Sequence, residues 1–116
     1  DLVWCDPDLL SAALLNVLDN AARHQATHVT LVVNADERHI VLDVRDDGEG
    51  MSAERLEAVQ HALQTGQGDD VLGLGLTLVD LVARNHGGHV QVSLGADGTG
   101  CRVILTLMRH PAAWRA

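Results

Sequence analysis

Four short runs in this chain carry an apolar residue at every second position, and that alternation narrows the available folds more than any other feature. They are Val29, Leu31 and Val33; Ile40, Leu42 and Val44; Val90, Val92 and Leu94; and Val103, Leu105 and Leu107. Successive side chains of a strand point to opposite faces, so each run has one apolar and one polar side. A doubly wound parallel sheet, covered on both faces, needs strands that are apolar throughout. These are not. The pattern predicts one sheet with a wet face and a covered face, hence a two-layer α/β sandwich.

The helices that cover such a sheet are written at the other period. In DLLSAALLNVLDNAARH, apolar residues recur at 10, 13, 14, 17, 18 and 21, the spacing of a helix with one buried face. Asp6-Pro7 ahead of it is a capping residue followed by proline at the first helical position. SAERLEAVQHAL reads as a second helix capped by Ser52. A third runs through LTLVDLVARNH and stops at Gly87-Gly88. Between the last two, QTGQGDD has the composition of a mobile loop. LVWC at the start reads as a short strand, NADERH as a hairpin turn, and RHPAAWRA as an exit from the domain.

Composition removes several classes of function. One domain is expected over residues 1–116, large enough for an ordinary core. The net charge is −8 and all eight basic residues are arginine, with no basic run and only Trp4 and Trp114 as aromatics. That is a poor match to nucleic acid or to an anionic membrane surface. A nucleotide stays open, because phosphates can be held by backbone N–H groups, a helix N-terminus and a divalent cation. Cys5 and Cys101 lie far apart without metal-type spacing, which suits a reducing compartment.

Three local features carry chemistry. Asn16 and Asn20 sit at i and i+4 of the first helix, with Arg23 continuing the stripe at the edge of its buried face. DDGEGM leaves a strand through two aspartates and two glycines, where backbone can approach a ligand and a carboxylate can accept from it. VLGLGL places Gly73 and Gly75 at the opening of a helix, where free N–H groups and the helix dipole favour an anion. Singly, each has a plain structural explanation: a solvated helix face, a tight turn, close helix packing.

In this order and context the three features resemble the ATP-binding domain of histidine kinases, in the wider family shared with DNA gyrase, Hsp90 and MutL. DPDLLSAALLNVLDNAARH is similar to the family's N box, DDGEGM to its first glycine box, GLGLTLVDLVARNHGG to its second, and GADGTGCRVILTL to its closing strand pair. The resemblance implies the Bergerat fold: a mixed, mainly antiparallel sheet covered on one face by about three helices. It implies ATP and Mg²⁺ as cofactors. The family's Asp-x-Gly-x-Gly aspartate accepts from the adenine amino group, a role the resemblance gives here to Asp47, with Thr99 assisting. Gly48 and Gly50 let the chain wrap the ring, with Met51 and Leu72 as apolar walls. Asn20 corresponds to the magnesium ligand, and Asn16 stands where hydrolysing relatives carry a Glu. Arg23 should meet a phosphate, His24 should lie near the nucleotide, and Leu72, Gly73, Leu74, Gly75 and Leu76 form the second phosphate-side segment.

By the same resemblance the domain passes the γ-phosphoryl group of Mg-ATP to a histidine on a separate dimerisation and phosphoacceptor domain. A response regulator is then the indirect partner. The expected location is cytoplasmic, with no nucleic acid and no direct membrane contact, in a parent that can be anchored in the inner membrane. The chain departs from the family in having no Phe, and so no phenylalanine-containing box, and in a short segment between Gly50 and Gly73. None of its seven histidines is followed by an acidic residue, so the phosphoacceptor is expected elsewhere in a longer sensor protein. Two other readings stay open: a degenerate nucleotide-binding or docking module without transfer, and an anti-sigma-type serine kinase.

Overall fold

A computed structural model describes residues 7–23, 25–66, 69–95 and 98–108, and within a helix the side chains of Pro7, Leu9 and 69–75 are also left undescribed. The expected LVWC strand, the Asp6 cap, His24 and the RHPAAWRA tail lie outside the described residues. The elements run α1 (Pro7–Arg23), β1 (Val29–Ala35), β2 (His39–Asp46), α2 (Ala53–Thr65), α3 (Asp69–Asn85), β3 (His89–Leu94) and β4 (Cys101–Met108). Every alternating run has become a strand. The sheet order is β1-β2-β4-β3, and all three described pairings are antiparallel.

Register explains how the covered face is assembled. Val44 lies opposite Val103 and Leu42 opposite Leu105, while Val90 and Val92 face Leu105 and Val103 from the other side. Residues directly opposite in an antiparallel pair share a face, so these side chains form one apolar surface. Val79, Val82 and Ala83 of α3, Ala13 and Val17 of α1, and Val59, Ala62 and Leu63 of α2 join them in one buried cluster. With almost no aromatics, the core is built of branched aliphatics and alanine. Three helices on one face of a four-stranded sheet give the expected two-layer sandwich.

The helix layer stops short of β1. Leu31 and Val33 sit opposite Val44 and Leu42, on the covered side, yet remain 49% and 55% exposed. The cause is packing: α1 leans on α3, while α2 lies over β3 and α3 over β3 and β4.

Helix ends follow local chemistry. Ser52 Oγ accepts from the Arg55 N–H at 3.1 Å and caps α2, and Gly66 ends it in the left-handed region at φ +71°. The QTGQGDD stretch is much less of a loop than its composition suggests. Gln64 and Thr65 belong to α2, while Asp69 and Asp70 open α3. Gln is a good helix former, and two aspartates favour the positive end of a helix dipole. Arg84 ties the two helices together, donating from Nη2 to the Leu63 carbonyl at 2.7 Å while its Nε meets the Asp80 carboxylate.

On the wet face, Asp43 is buried between two arginines. Arg102 reaches its Oδ2 from Nη2 at 2.7 Å, and Arg45 reaches it from Nη2 at 2.9 Å. The hydrogen bonds from Arg102 and then Arg45 hold the Asp43 carboxyl well below the usual carboxylate range. A carboxyl depressed on folding stabilises the protein above its unfolded pKa of about 4 and loses that contribution as pH falls. Asp43→Asn should therefore cost about 1–3 kcal/mol at pH 7 by denaturant unfolding. The gap to the wild type should narrow as pH is lowered below about 4. A gap independent of pH would exclude this role for the Asp43 charge.

Candidate functional site

The site grows from the end of β2. After Asp46 the chain must turn away from the sheet, and it does so against the β3–β4 loop. Gly48 O accepts from Gly100 N–H at 3.0 Å, joining the two loops. Two glycines make this approach possible. A Cβ on Gly100, which has φ +70°, would stand 2.1 Å from the Asp46 carbonyl oxygen. One on Gly50, at φ +74°, would stand 2.8 Å from the Gly100 carbonyl. Neither position tolerates a side chain without moving backbone.

This stitching aims Asp46. Its Oδ1 accepts from Gly48 N–H at 2.9 Å and from Cys101 N–H at 3.2 Å. Its Oδ2 makes no hydrogen bond to a described residue. A half-buried carboxylate is thus fixed by one oxygen with the other available as an acceptor. Cys101 lies directly across the ladder from Asp46 and is 6% exposed. Burial, and then the Asp46 charge, push its thiol up to about 11, so it stays protonated and unreactive.

Asp47 is engaged elsewhere. Its Oδ1 accepts from the Thr27 and His28 N–H groups at 2.7 and 2.9 Å, and its Oδ2 accepts from the Thr27 hydroxyl at 2.7 Å. His28 Nδ1 lies 3.1 Å from the same Oδ2. The His28 N–H, and next the Thr27 hydroxyl, hold the Asp47 carboxyl well below its ordinary range. Both Asp47 oxygens are thus already engaged by Thr27 and His28. Asp47 was expected to read a base, yet in this geometry Asp46 is the neighbour with an oxygen free of described partners. Counting Asp-x-Gly-x-Gly back from Gly50 and Gly48 lands on Asp46, a signal already present in DDGEGM.

Thr99 was expected to assist Asp47. It is exposed in the β3–β4 loop, where its carbonyl accepts from Gly95 N–H, and Cys101 instead stands beside the Asp46 carboxylate. Of the apolar walls, Met51 is half-buried against the core and Leu76 is buried within it. The side chains of Leu72 and Leu74 lie outside the description, as does all of His24.

On α1, Asn16 and Asn20 are half-buried, and Arg23 is exposed and paired with Asp19 at 3.0 Å. The Asn16 amide nitrogen donates to the Ala12 carbonyl at 2.8 Å. The Asn20 amide makes no hydrogen bond to a described residue, which leaves its oxygen open to a ligand. The expected helix opening at Gly73 is not found: α3 begins at Asp69, so Gly73 and Gly75 lie past its first turn. In that geometry their N–H groups point back to the carbonyls of residues 69 and 71. Aspartates at the start of a helix favour such an early beginning.

Residues 5–111 match the family described as histidine kinase-, DNA gyrase B-, and HSP90-like ATPase. The chain belongs to that family. It is 35% identical over 107 residues to the sensor histidine kinase ZraS of Escherichia coli O157:H7, a match covering 90% of this chain and 23% of ZraS. With the sensor histidine kinase component HK1 of Mycobacterium tuberculosis (strain ATCC 25618 / H37Rv) the identity is 32% over 108 residues, covering 90% of this chain and 64% of HK1. The ATP-binding domain of PrrB from Mycobacterium tuberculosis superposes with a TM-score of 0.74 at 25% identity, covering 94% of this chain and 73% of that one. The chain thus spans less than a quarter of ZraS.

Gly100→Ala tests the geometry without any ligand. It should destabilise the domain by about 2 kcal/mol or more in thermal or denaturant unfolding, through positive φ and the clash with Asp46. A variant of unchanged stability would mean that the two loops are not in this contact.

Proposed function

We propose that this domain binds Mg-ATP at the Asp46–Gly100 junction and passes the γ-phosphoryl group to a histidine on a separate helical domain of a two-component sensor. The observation that carries the reading is the half-buried Asp46 carboxylate, fixed through Oδ1 and open at Oδ2. An acceptor-only group at that point favours the 6-amino group of adenine over the 6-oxo group of guanine. Met51 is available as an apolar wall.

Asn20 is the candidate metal ligand. Among the described residues no group of three or more His, Cys, Asp or Glu could hold a metal by itself. A half-buried amide oxygen without a described partner does suit Mg²⁺, which keeps several waters and shares its charge with phosphates. When bound, the ion neutralises charge on the phosphate oxygens. Arg23 would add a cationic contact by exchanging Asp19 for a phosphate. Asn16 cannot act as a general base at neutral pH, so the bound nucleotide is protected from water while it waits for its acceptor. Transfer forms a bond from the acceptor histidine nitrogen to the γ-phosphorus and breaks the β–γ bridging bond, releasing ADP. Contact of the phosphates with the N–H groups of Gly73 and Gly75 requires the first turn of α3 to open.

The acceptor domain and a response regulator are partners of the parent protein on this reading. None of the described helices is long and apolar enough to cross a membrane.

Calorimetric titration with a non-hydrolysable ATP analogue tests the assignment, with the GTP counterpart as control. In Asp46→Asn, the amide oxygen must face the Gly48 and Cys101 donors, which turns the NH₂ group toward the base. Binding should then weaken by about tenfold or more and the adenine preference should disappear. Asp47→Asn should keep that preference. Wild-type affinity and selectivity in Asp46→Asn would defeat the reading.

A further inference from the structure

Asp47 is left without a part in base recognition, yet it makes the densest set of side-chain hydrogen bonds around the site. Its targets, Thr27 and His28, lie in the segment that leaves α1. That segment starts awkwardly. Gln25 takes φ +62°, the left-handed region that a side chain disfavours, while Ala26 N–H bonds to the Ala21 carbonyl at 3.1 Å. This is the six-to-one closure with which helices end, here made without the usual glycine. Gln25 is the one non-glycine residue with positive φ among the described residues. A strained exit persists only where the surroundings hold it. Asp47 supplies the hold two residues later, and the Asp47 N–H donates to the His28 carbonyl at 3.3 Å in addition.

The consequence is geometric. The last turns of α1 carry Asn20 and Arg23, and the end of β2 carries Asp46. Few contacts link α1 to the sheet directly, since α1 packs chiefly on α3. Beside the indirect route through α3, the 25–28 segment and the Asp47 carboxylate tie the end of α1 directly to the end of β2. We propose that Asp47 is a positioning residue, whose grip on Thr27 and His28 sets the distance between the metal and phosphate end of the site, at Asn20 and Arg23, and its base-reading end at Asp46. The proposal rests on the nucleotide reading above, whereas the clamp itself is seen directly.

A ligand that touches both ends feels the clamp, and one that touches only the base end does not. Asp47→Ala should weaken Mg-ADP by roughly tenfold but adenosine by less than about threefold, both followed by NMR titration of the whole chain. Thr27→Val keeps the carboxylate and its two backbone bonds, and should lose part of the Mg-ADP affinity in the same selective way. Asp47→Asn retains one acceptor oxygen for the Thr27 and His28 N–H groups and should recover part of the loss. A purely structural role would lower thermal stability and weaken both ligands alike.

Equal losses for adenosine and Mg-ADP, or no loss for either, would overturn the proposal while leaving the Asp46 reading intact. A wild-type chain that binds neither ligand would overturn the reading and the proposal together. Should Asp47→Ala fail to fold, the Thr27→Val and Asp47→Asn pair decides the matter by the same ratio.

Discussion

The rest of the molecule depends on how closely the backbone at Gly100 approaches the backbone at Asp46. Only a residue without Cβ, at positive φ, can occupy that place. The approach lets Gly100 N–H reach the Gly48 carbonyl and lets Cys101 N–H reach Asp46 Oδ1. It therefore turns the end of the central β2–β4 pair into a fixed platform. The core beneath, built of Leu105, Leu107, Val103 and their partners on β2, holds the two strands in register so that the platform does not slide.

Three aspartates within five residues do three different jobs on that platform. Asp43, alternate along β2, points to the wet face and is neutralised by Arg45 and Arg102. Asp46 ends the strand and keeps one oxygen open. Asp47 turns outward and ties down the exit of α1. Burial, partner type and backbone direction separate residues of one chemical kind. A net charge of −8 does not exclude a polyanionic ligand, because backbone N–H groups and side-chain amides do not appear in that sum.

Local patterns in the sequence specify much of this fold, and where they do not the reason is physical. Period-two alternation located all four described strands, because register with a covered face leaves little freedom. Ser52 as the cap of α2 was readable because side-chain capping is local chemistry. The boundaries around QTGQGDD were not, since glycine content suggested a loop while Gln64, Asp69 and Asp70 favoured helix ends. The exposure of Leu31 and Val33 could not be read from their alternation, which specifies a face but not whether a helix covers it. For the site, the glycines of DDGEGM were legible as close-approach positions, whereas Gly100 was not singled out. The Asp-x-Gly-x-Gly spacing already marked Asp46, but its neighbour across the ladder, Cys101, carried no local signal, because only the pairing of β2 with β4 brings the two together.

The most direct test of the central claim is a crystal structure of the chain with a non-hydrolysable ATP analogue and Mg²⁺. The adenine amino group should lie within hydrogen-bond distance of Asp46 Oδ2, with the metal on Asn20 and Asp47 still bound to Thr27 and His28. An amino group seated on Asp47 with Thr27 displaced, or a base bound away from the Gly48–Gly100 junction, would contradict that claim.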